Sequence, residues 1–474
     1  MLFSKSDYLK SGKLKPASEK DFIKGWCNIG DTFNVDTQLK TRPNERQIKF
    51  FGTKYYSFIH FGINTFTGKE WGSGQDSPSL FNPEKLDTDQ WAKVLKQSGS
   101  EGVILTAKHH DGFCLWPTKL TDYNISASPY KDGKGDVVAE LSESCKKYGL
   151  KFGIYLSPWD RHEKTYATDA YNDFYAGQLE ELLTGYGEIF MVWLDGARDP
   201  KVDVHGWNYD FERYYATINR LQPDCIIANE GPDVRWIGNE RAAVRKQEWS
   251  VVPKGCDPTL SDLGSRKATA GKETVFYPAE ADISIRRGWF WHKWQRPKSV
   301  KKLLDVYYRV VGGNATLLLN VPPSPAGLID EADCAVLKTF GQTLAKQFSH
   351  PVKITKIAAG DGNKTVSEAE MFNITKNNDT YYKMKDGQYI LDFDFNKTRI
   401  SRIVLSEYMQ RSQRVESYDI YVKKDGAYYH AASRETIGNR AITVFKNPPE
   451  AQGVRIVFRQ SRNKPCIRYA AFFG

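Results

Sequence analysis

The sequence is poor in the features that mark a disulfide scaffold, a zinc protein or a membrane protein. Seven cysteines (Cys27, Cys114, Cys145, Cys225, Cys256, Cys334 and Cys466) are scattered over 474 residues. They form no Cys-x-x-Cys pair and no zinc-type spacing, so buried free thiols are expected and no metal site. No apolar run approaches the length of a membrane span. Residues 1–20 contain no apolar core of signal-peptide length. A leader removed during maturation would imply a secreted, periplasmic or lysosome-like compartment, and a chain made without one would be cytoplasmic. Lys and Arg form no long block despite a formal charge of +10, so the basic excess serves solubility and nucleic acid is not an expected partner. Six Asn-x-Ser/Thr sequons, at Asn124, Asn314, Asn363, Asn373, Asn378 and Asn396, are compatible with glycosylation without establishing it. Nothing in the chain specifies an oligomeric state.

What is abundant is aromatic surface. Residues are 40% hydrophobic and 13% aromatic, with 12 Trp and 26 Tyr, which gives a full core and rings to spare for stacking on sugars. The length suits a large barrel with an appendage. The most informative stretch is Ile189-Phe190-Met191-Val192-Trp193-Leu194, an unbroken apolar run that ends in Asp195 and Gly196. Such a run suits a strand buried on both faces of a parallel sheet. Its acid then emerges at the strand end that carries the chemistry in a barrel. The competing account is an Asp that caps the following helix.

Other segments repeat the pattern. Tyr56–Gly62, Gly102–Lys108, Lys151–Ser157, Cys225–Glu230 and Ala315–Val321 read as strands. Asp87–Gln97, Val137–Tyr148, Ala170–Gly185, Phe211–Leu221, Val300–Val311 and Asp330–Phe348 read as helices. The alternation predicts an α/β fold, a (β/α)8-like barrel, with two of the eight strands unresolved and a loosely patterned stretch over Gly231–Arg287. Beyond His350–Pro351 the short alternating segments Gln388–Phe393, Ile400–Leu405, Ser417–Val422 and Gly453–Phe458 predict a C-terminal antiparallel β-sandwich. The expected division is a catalytic barrel over 1–349 and a sandwich over 350–474.

The expected strand ends share polar and aromatic groups: His60; His109 and His110; Tyr155, Ser157 and Trp159; Trp193 and Asp195; Asn229 and Glu230. Each alone has a packing explanation, but together they mark the active face of a barrel. His109 and His110 are adjacent, so both reach one face only if the strand bulges or has already ended. A sugar pocket of this kind suits glycoside cleavage, which needs two carboxyl groups. Asp195 is the candidate nucleophile. Glu230, Glu240, Glu248 and Glu280 are candidates for the acid, and spacing does not choose among them. Two alternatives are a metal-dependent hydrolase using His60, His109, His110 and Asp195 as ligands, and a glycan-binding protein without catalysis.

Several segments carry a more specific signal. His60-Phe61-Gly62, Glu70-Trp71, Thr106-Ala107-Lys108-His109-His110-Asp111-Gly112-Phe113, Gly153–Ser157 and Trp193-Leu194-Asp195-Gly196 resemble the α-L-fucosidases of glycoside hydrolase family 29. The resemblance implies retaining hydrolysis through a covalent fucosyl-enzyme, with Asp195 as nucleophile and no cofactor. Asn229–Glu240, Glu248–Val251 and Glu280–Trp291 resemble the subgroup that prefers α-1,3/1,4-linked fucose on branched glycans. That subgroup's pattern assigns the acid/base role to Glu240. It also implies that His60, Glu70, Trp71, His109, His110, Tyr155 and Trp193 contact fucose. Glu280, Trp289 and Trp291 would shape the site for the rest of a fucosylated oligosaccharide.

Overall fold

Eight parallel strands form one sheet: β1 (Tyr55–Ile59), β2 (Gly102–Lys108), β3 (Lys151–Leu156), β4 (Met191–Leu194), β5 (Ile226–Asn229), β6 (Arg235–Trp236), β7 (Ala279–Ser284) and β8 (Ala315–Asn320). Their spatial order is β5-β4-β3-β2-β1-β8-β7-β6, and a parallel bridge between Ala228 and Val234 nearly closes the sheet into a barrel. This computed structural model describes residues 14–18, 21–22, 28–29, 36–201, 206–360, 364–385 and 387–474. Cys27 and the sequon at Asn363 lie outside them. The six described cysteines are free thiols. Among the described residues no helix is long and apolar enough to cross a membrane.

Helices α1 (Thr88–Gln97), α2 (Val137–Tyr148), α3 (Asp169–Gly185) and α4 (Phe211–Leu221) follow β1 to β4, and α5 (Val300–Val310) and α6 (Glu331–Gln347) follow β7 and β8. Their ends are set locally. Asp136 accepts the Ala139 N–H at 2.9 Å to start α2, and Gly149, at φ +62°, ends it. Asp87 and Asp210 cap α1 and α4 in the same way.

The two strands that the sequence left unresolved are β6 and β7. β6 has two residues. β7 turns Glu280, Asp282 and Ser284 inward, so it lacks the apolar inner face of a barrel strand. Between them the chain makes a hairpin of Val251–Pro253 with Thr274–Phe276 and the short helix Arg266–Thr269.

Alternation along the strands decides which residues reach the site. Tyr56, Phe58, Ile104, Tyr155, Met191, Trp193 and Leu318 fill the barrel interior. Tyr55, Ile59, Val103, Leu105, Val192, Leu194 and Leu319 face the helices. His60, two residues after Phe58, and Asp195, two after Trp193, therefore open toward the axis at the C-terminal end.

The remaining strands form two antiparallel sheets. Strands β9 (Ile354–Ala359), β10 (Ile390–Arg399), β12 (Val415–Lys424), β13 (Ala427–Glu435) and β15 (Glu450–Ser461) pair in the order β13-β12-β15-β10-β9. Strands β11 (Arg402–Glu407), β14 (Ala441–Val444) and β16 (Cys466–Phe473) pair as β16-β11-β14. Phe393, Ile403, Leu405, Ile420, Ile456 and Phe472 make the core between them. The helix Glu368–Thr375 departs from the all-strand texture read from the sequence and sends Ile374 into that core. Two early segments join the larger sheet: Lys15–Pro16 pairs with β13, and Asn28–Ile29 with β15.

Candidate active site

Asp195 is the first residue after β4. The Tyr155 hydroxyl donates to its Oδ2 at 2.8 Å, and the Ala197 N–H donates to Oδ1 at 2.8 Å. These two donors fix the carboxylate plane. The side chain stays 23% exposed, enough to meet a ligand, and His110 Nε2 lies 4.0 Å from Oδ2. Burial and then the Asp195 charge push the Tyr155 phenol well above its ordinary range, so it remains a neutral donor.

Three neutral histidines stand beside it. Asn320 Nδ2 donates to the Trp289 carbonyl at 2.7 Å, so its Oδ1, 2.9 Å from His60 Nδ1, accepts from the ring. The Ser157 hydroxyl donates to the Trp159 carbonyl at 2.7 Å and therefore accepts from His110 Nδ1, also at 2.7 Å. Both rings thus carry the proton on Nδ1 and keep a lone pair at Nε2. Burial pushes His60 down to about 3 and lowers His109 and His110 as well. His109 stacks on Tyr155 (5.8 Å between centroids) and His110 on Trp159 (4.6 Å).

Both adjacent histidines reach the pocket because β2 slips register between Thr106 and Lys108 and ends there. The slip pairs Thr106 with inward-facing Tyr155 but Lys108 with outward-facing Leu156. Lys108 is accordingly fully buried on the helix side, 2.8 Å from Asp160, among the rings of Tyr171, Phe174 and Tyr175. Replacing Lys108 with Met strands the Asp160 charge. It should cost about 3–5 kcal/mol, read as a lower midpoint of urea unfolding.

The other expected residues lie at different depths. Trp193 donates its indole N–H to Glu280 Oε1 at 2.7 Å inside the barrel, where Glu280 is 1% exposed. Trp289 lies 5.0 Å from His60 by ring centroids, and its backbone N–H donates to Glu70. Trp71 is 56% exposed at the rim, beside Trp159. Trp291 lies over the guanidinium of Arg286, 5.4 Å from its ring centre.

The four candidate acids separate by surroundings. Glu248 is buried, but Arg235 and Arg245 overcome that burial and hold its carboxyl below the usual range. Glu280 is occupied by Trp193, and burial, then Asp282, drives it well up. Glu230 and Glu240 remain, both opening to solvent. Burial and the Asp195 charge raise each of them. Glu230 lies against the backbone next to Asp195, since a Cβ on Gly196 would come within 2.4 Å of its Oε1. Glu240 instead has the Trp289 side chain as a hydrogen-bond partner and feels the charge of Glu70 as well as that of Asp195.

Residues that the sequence reading did not single out complete the site. Asn320 orients His60. Asp282 accepts the Trp236 indole N–H at 2.8 Å and is pushed up to about 7, first by burial and then by Glu240. Both end or face inward from barrel strands, the same signal that found Asp195. Among the described residues no group of three His, Cys, Asp or Glu side chains is disposed to hold a metal ion.

Comparison with known proteins points one way. The profile of the Alpha-L-fucosidase family matches residues 35–347. Alpha-L-fucosidase 1 of Arabidopsis thaliana is 39% identical over 449 residues, covering 91% of this chain and 87% of the plant protein. A Ruminococcus gnavus fucosidase of glycoside hydrolase family 29, solved with fucose, superposes with a TM-score of 0.80 at 30% identity, covering 97% of this chain and 98% of that one. A Bacteroides ovatus crystal structure gives a TM-score of 0.84 at 38% identity, over 93% of this chain and 75% of that one. The fold, the pocket and these relatives agree: the chain belongs to glycoside hydrolase family 29 and is an alpha-L-fucosidase.

Proposed function

We propose that the protein is a retaining exo-α-L-fucosidase that removes terminal α-1,3/1,4-linked L-fucose from branched oligosaccharides or glycoconjugates. Asp195 attacks the anomeric carbon, and Glu240 first protonates the leaving oxygen and then serves as base for water. The observation that carries this reading is the Asp195 carboxylate held by two hydrogen-bond donors, with the Glu240 carboxyl, which burial and the Asp195 charge raise, beside Trp289 and so close to the buried histidines. The lone pairs on His60 and His110 suit hydroxyl protons of the sugar. His109 and Glu70 add further polar contacts. The faces of Trp193, Tyr155 and Trp289 suit the C6 methyl of a 6-deoxy sugar. Trp71 at the rim, with Trp291 behind, would shape the entry for the remainder of the glycan, whereas Glu280, expected to share that role, is buried inside the barrel under Trp193.

Linkage preference rests on the resemblance of Asn229–Glu240 and Glu280–Trp291 to the branched-glycan subgroup. The test is a panel of oligosaccharides carrying α-1,2-, α-1,3-, α-1,4- or α-1,6-linked fucose, read by released fucose. Lewis-type α-1,3/1,4 substrates should be cleaved at least about tenfold faster than the others, a difference of ~1.4 kcal/mol in transition-state binding. Equal rates across the panel would remove the linkage assignment. Proton NMR at the first time points should show α-fucose, as double displacement requires.

A further inference from the structure

We infer that the C-terminal sandwich braces the loop that carries Glu240, with Glu248 and Gln413 as its positioning residues. The inference rests on the reading of Glu240 as the acid/base. Glu240 sits on an excursion between Arg235 and Arg245. Both of those arginines converge on the carboxylate of Glu248, which is fully buried. Arg235 Nη2 lies 2.5 Å from Oε1, Arg245 Nη1 lies 3.2 Å from each oxygen, and the Arg245 N–H donates to Oε2 at 3.1 Å. One side chain therefore ties the two ends of the excursion together.

The loop above that knot is held by its own hydrogen bonds. The Ile237 and Ala242 N–H groups donate to the Glu280 and Asp282 carbonyls of β7, each at 3.1 Å. Asn239 Oδ1 accepts from the N–H groups of Arg241 (3.2 Å) and Ala243 (3.0 Å), so the residues flanking Glu240 are fixed on both sides.

The knot itself is held from the sandwich. Gln413, 1% exposed between β11 and β12, donates from Nε2 to the Glu248 carbonyl at 3.1 Å. Its Oε1 accepts the Ser250 N–H at 2.8 Å and Asn314 Nδ2 at 3.2 Å. Asn314 also donates to the Glu248 carbonyl at 2.8 Å, and its own Oδ1 takes the Asn439 N–H at 2.7 Å. Farther along, the Arg462 guanidinium covers Trp249 at 3.5 Å, and Glu416 pairs with both Arg462 and Arg266. Polar groups buried this deeply hold one geometry, because any displacement leaves donors without partners. A shift of the Glu248 backbone would pass through its carboxylate to both ends of the Glu240 loop.

The test compares kcat/KM on two substrates. A Lewis-type trisaccharide needs its leaving oxygen protonated, whereas 2-chloro-4-nitrophenyl α-L-fucoside departs without help. The near-isosteric Gln413→Met should lower kcat/KM for the trisaccharide by about ten- to a hundredfold, the scale of an ångström-level misplacement. For the aryl fucoside the loss should stay under about threefold, since acid catalysis contributes little there. The ratio of the two rates does not depend on how much of the variant is folded. Glu248→Gln should move that ratio further in the same direction. An equal loss on both substrates, or no loss on either, overturns the bracing role. Glu240→Gln, measured alongside, tests the underlying assignment separately. If it cleaves the trisaccharide normally, the acid/base reading fails. If it does not and Gln413→Met leaves the ratio unchanged, only the bracing inference fails.

Discussion

Asp195→Gly should lower kcat/KM for p-nitrophenyl α-L-fucoside by at least about three orders of magnitude, or ~4 kcal/mol of transition-state stabilisation. The native circular dichroism spectrum should survive. Asp195 follows the last residue of β4 and its side chain opens to solvent while accepting from Tyr155 Oη and the Ala197 N–H, so its loss opens no cavity in the barrel core. Removing it also leaves room for a small anion. Azide added to Asp195→Gly should restore turnover and yield the inverted β-fucosyl azide, because the anion attacks in place of the missing carboxylate. A loss of less than about tenfold would assign the nucleophile elsewhere.

The second large effect concerns Glu240. Glu240→Ala should cost about 10²- to 10⁴-fold on a natural trisaccharide, the usual range for a positioned proton donor. An activated aryl fucoside should suffer far less in kcat/KM. Here azide intercepts the β-linked fucosyl-enzyme, so the product should be α-fucosyl azide, opposite to that from Asp195→Gly. The pH profile gives an independent reading. Burial, with Asp195 and Glu70, raises the Glu240 carboxyl, and the Trp289 hydrogen bond opposes them. The protonated form is the active one in the first step, so kcat/KM falls as pH rises through the raised value, and Glu240→Ala should erase that alkaline limb. If Glu230→Ala abolished cleavage while Glu240→Ala did not, the acid would be Glu230, against the Gly196 backbone, and not Glu240.

Much of this site was legible because barrel strands translate sequence period directly into direction. The apolar run into Asp195, the helix over Val137–Tyr148, and the incompatibility of adjacent His109 and His110 with a regular strand each have a local cause. β7 was hidden because its inner face is Glu280, Asp282 and Ser284. Its alternation resembles a half-solvated strand, and only the assembled barrel shows that those acids are buried. Spacing did not choose among four glutamates for a related reason. Glu248 is excluded by two arginines and Glu280 by an indole 87 positions away, partners that only the fold supplies. The link from Gln413 to Glu248 spans 165 positions and has no signature in the sequence.

Lys15–Pro16 lies on β13 and Asn28–Ile29 on β15, so two segments that precede the barrel are paired by strands that follow it. A nascent chain cannot seat them until β13 and β15 have left the ribosome, whatever the barrel has achieved by then. Synthesis that stops short of β13 therefore leaves Lys15–Pro16 and Asn28–Ile29 without the strands they pair with.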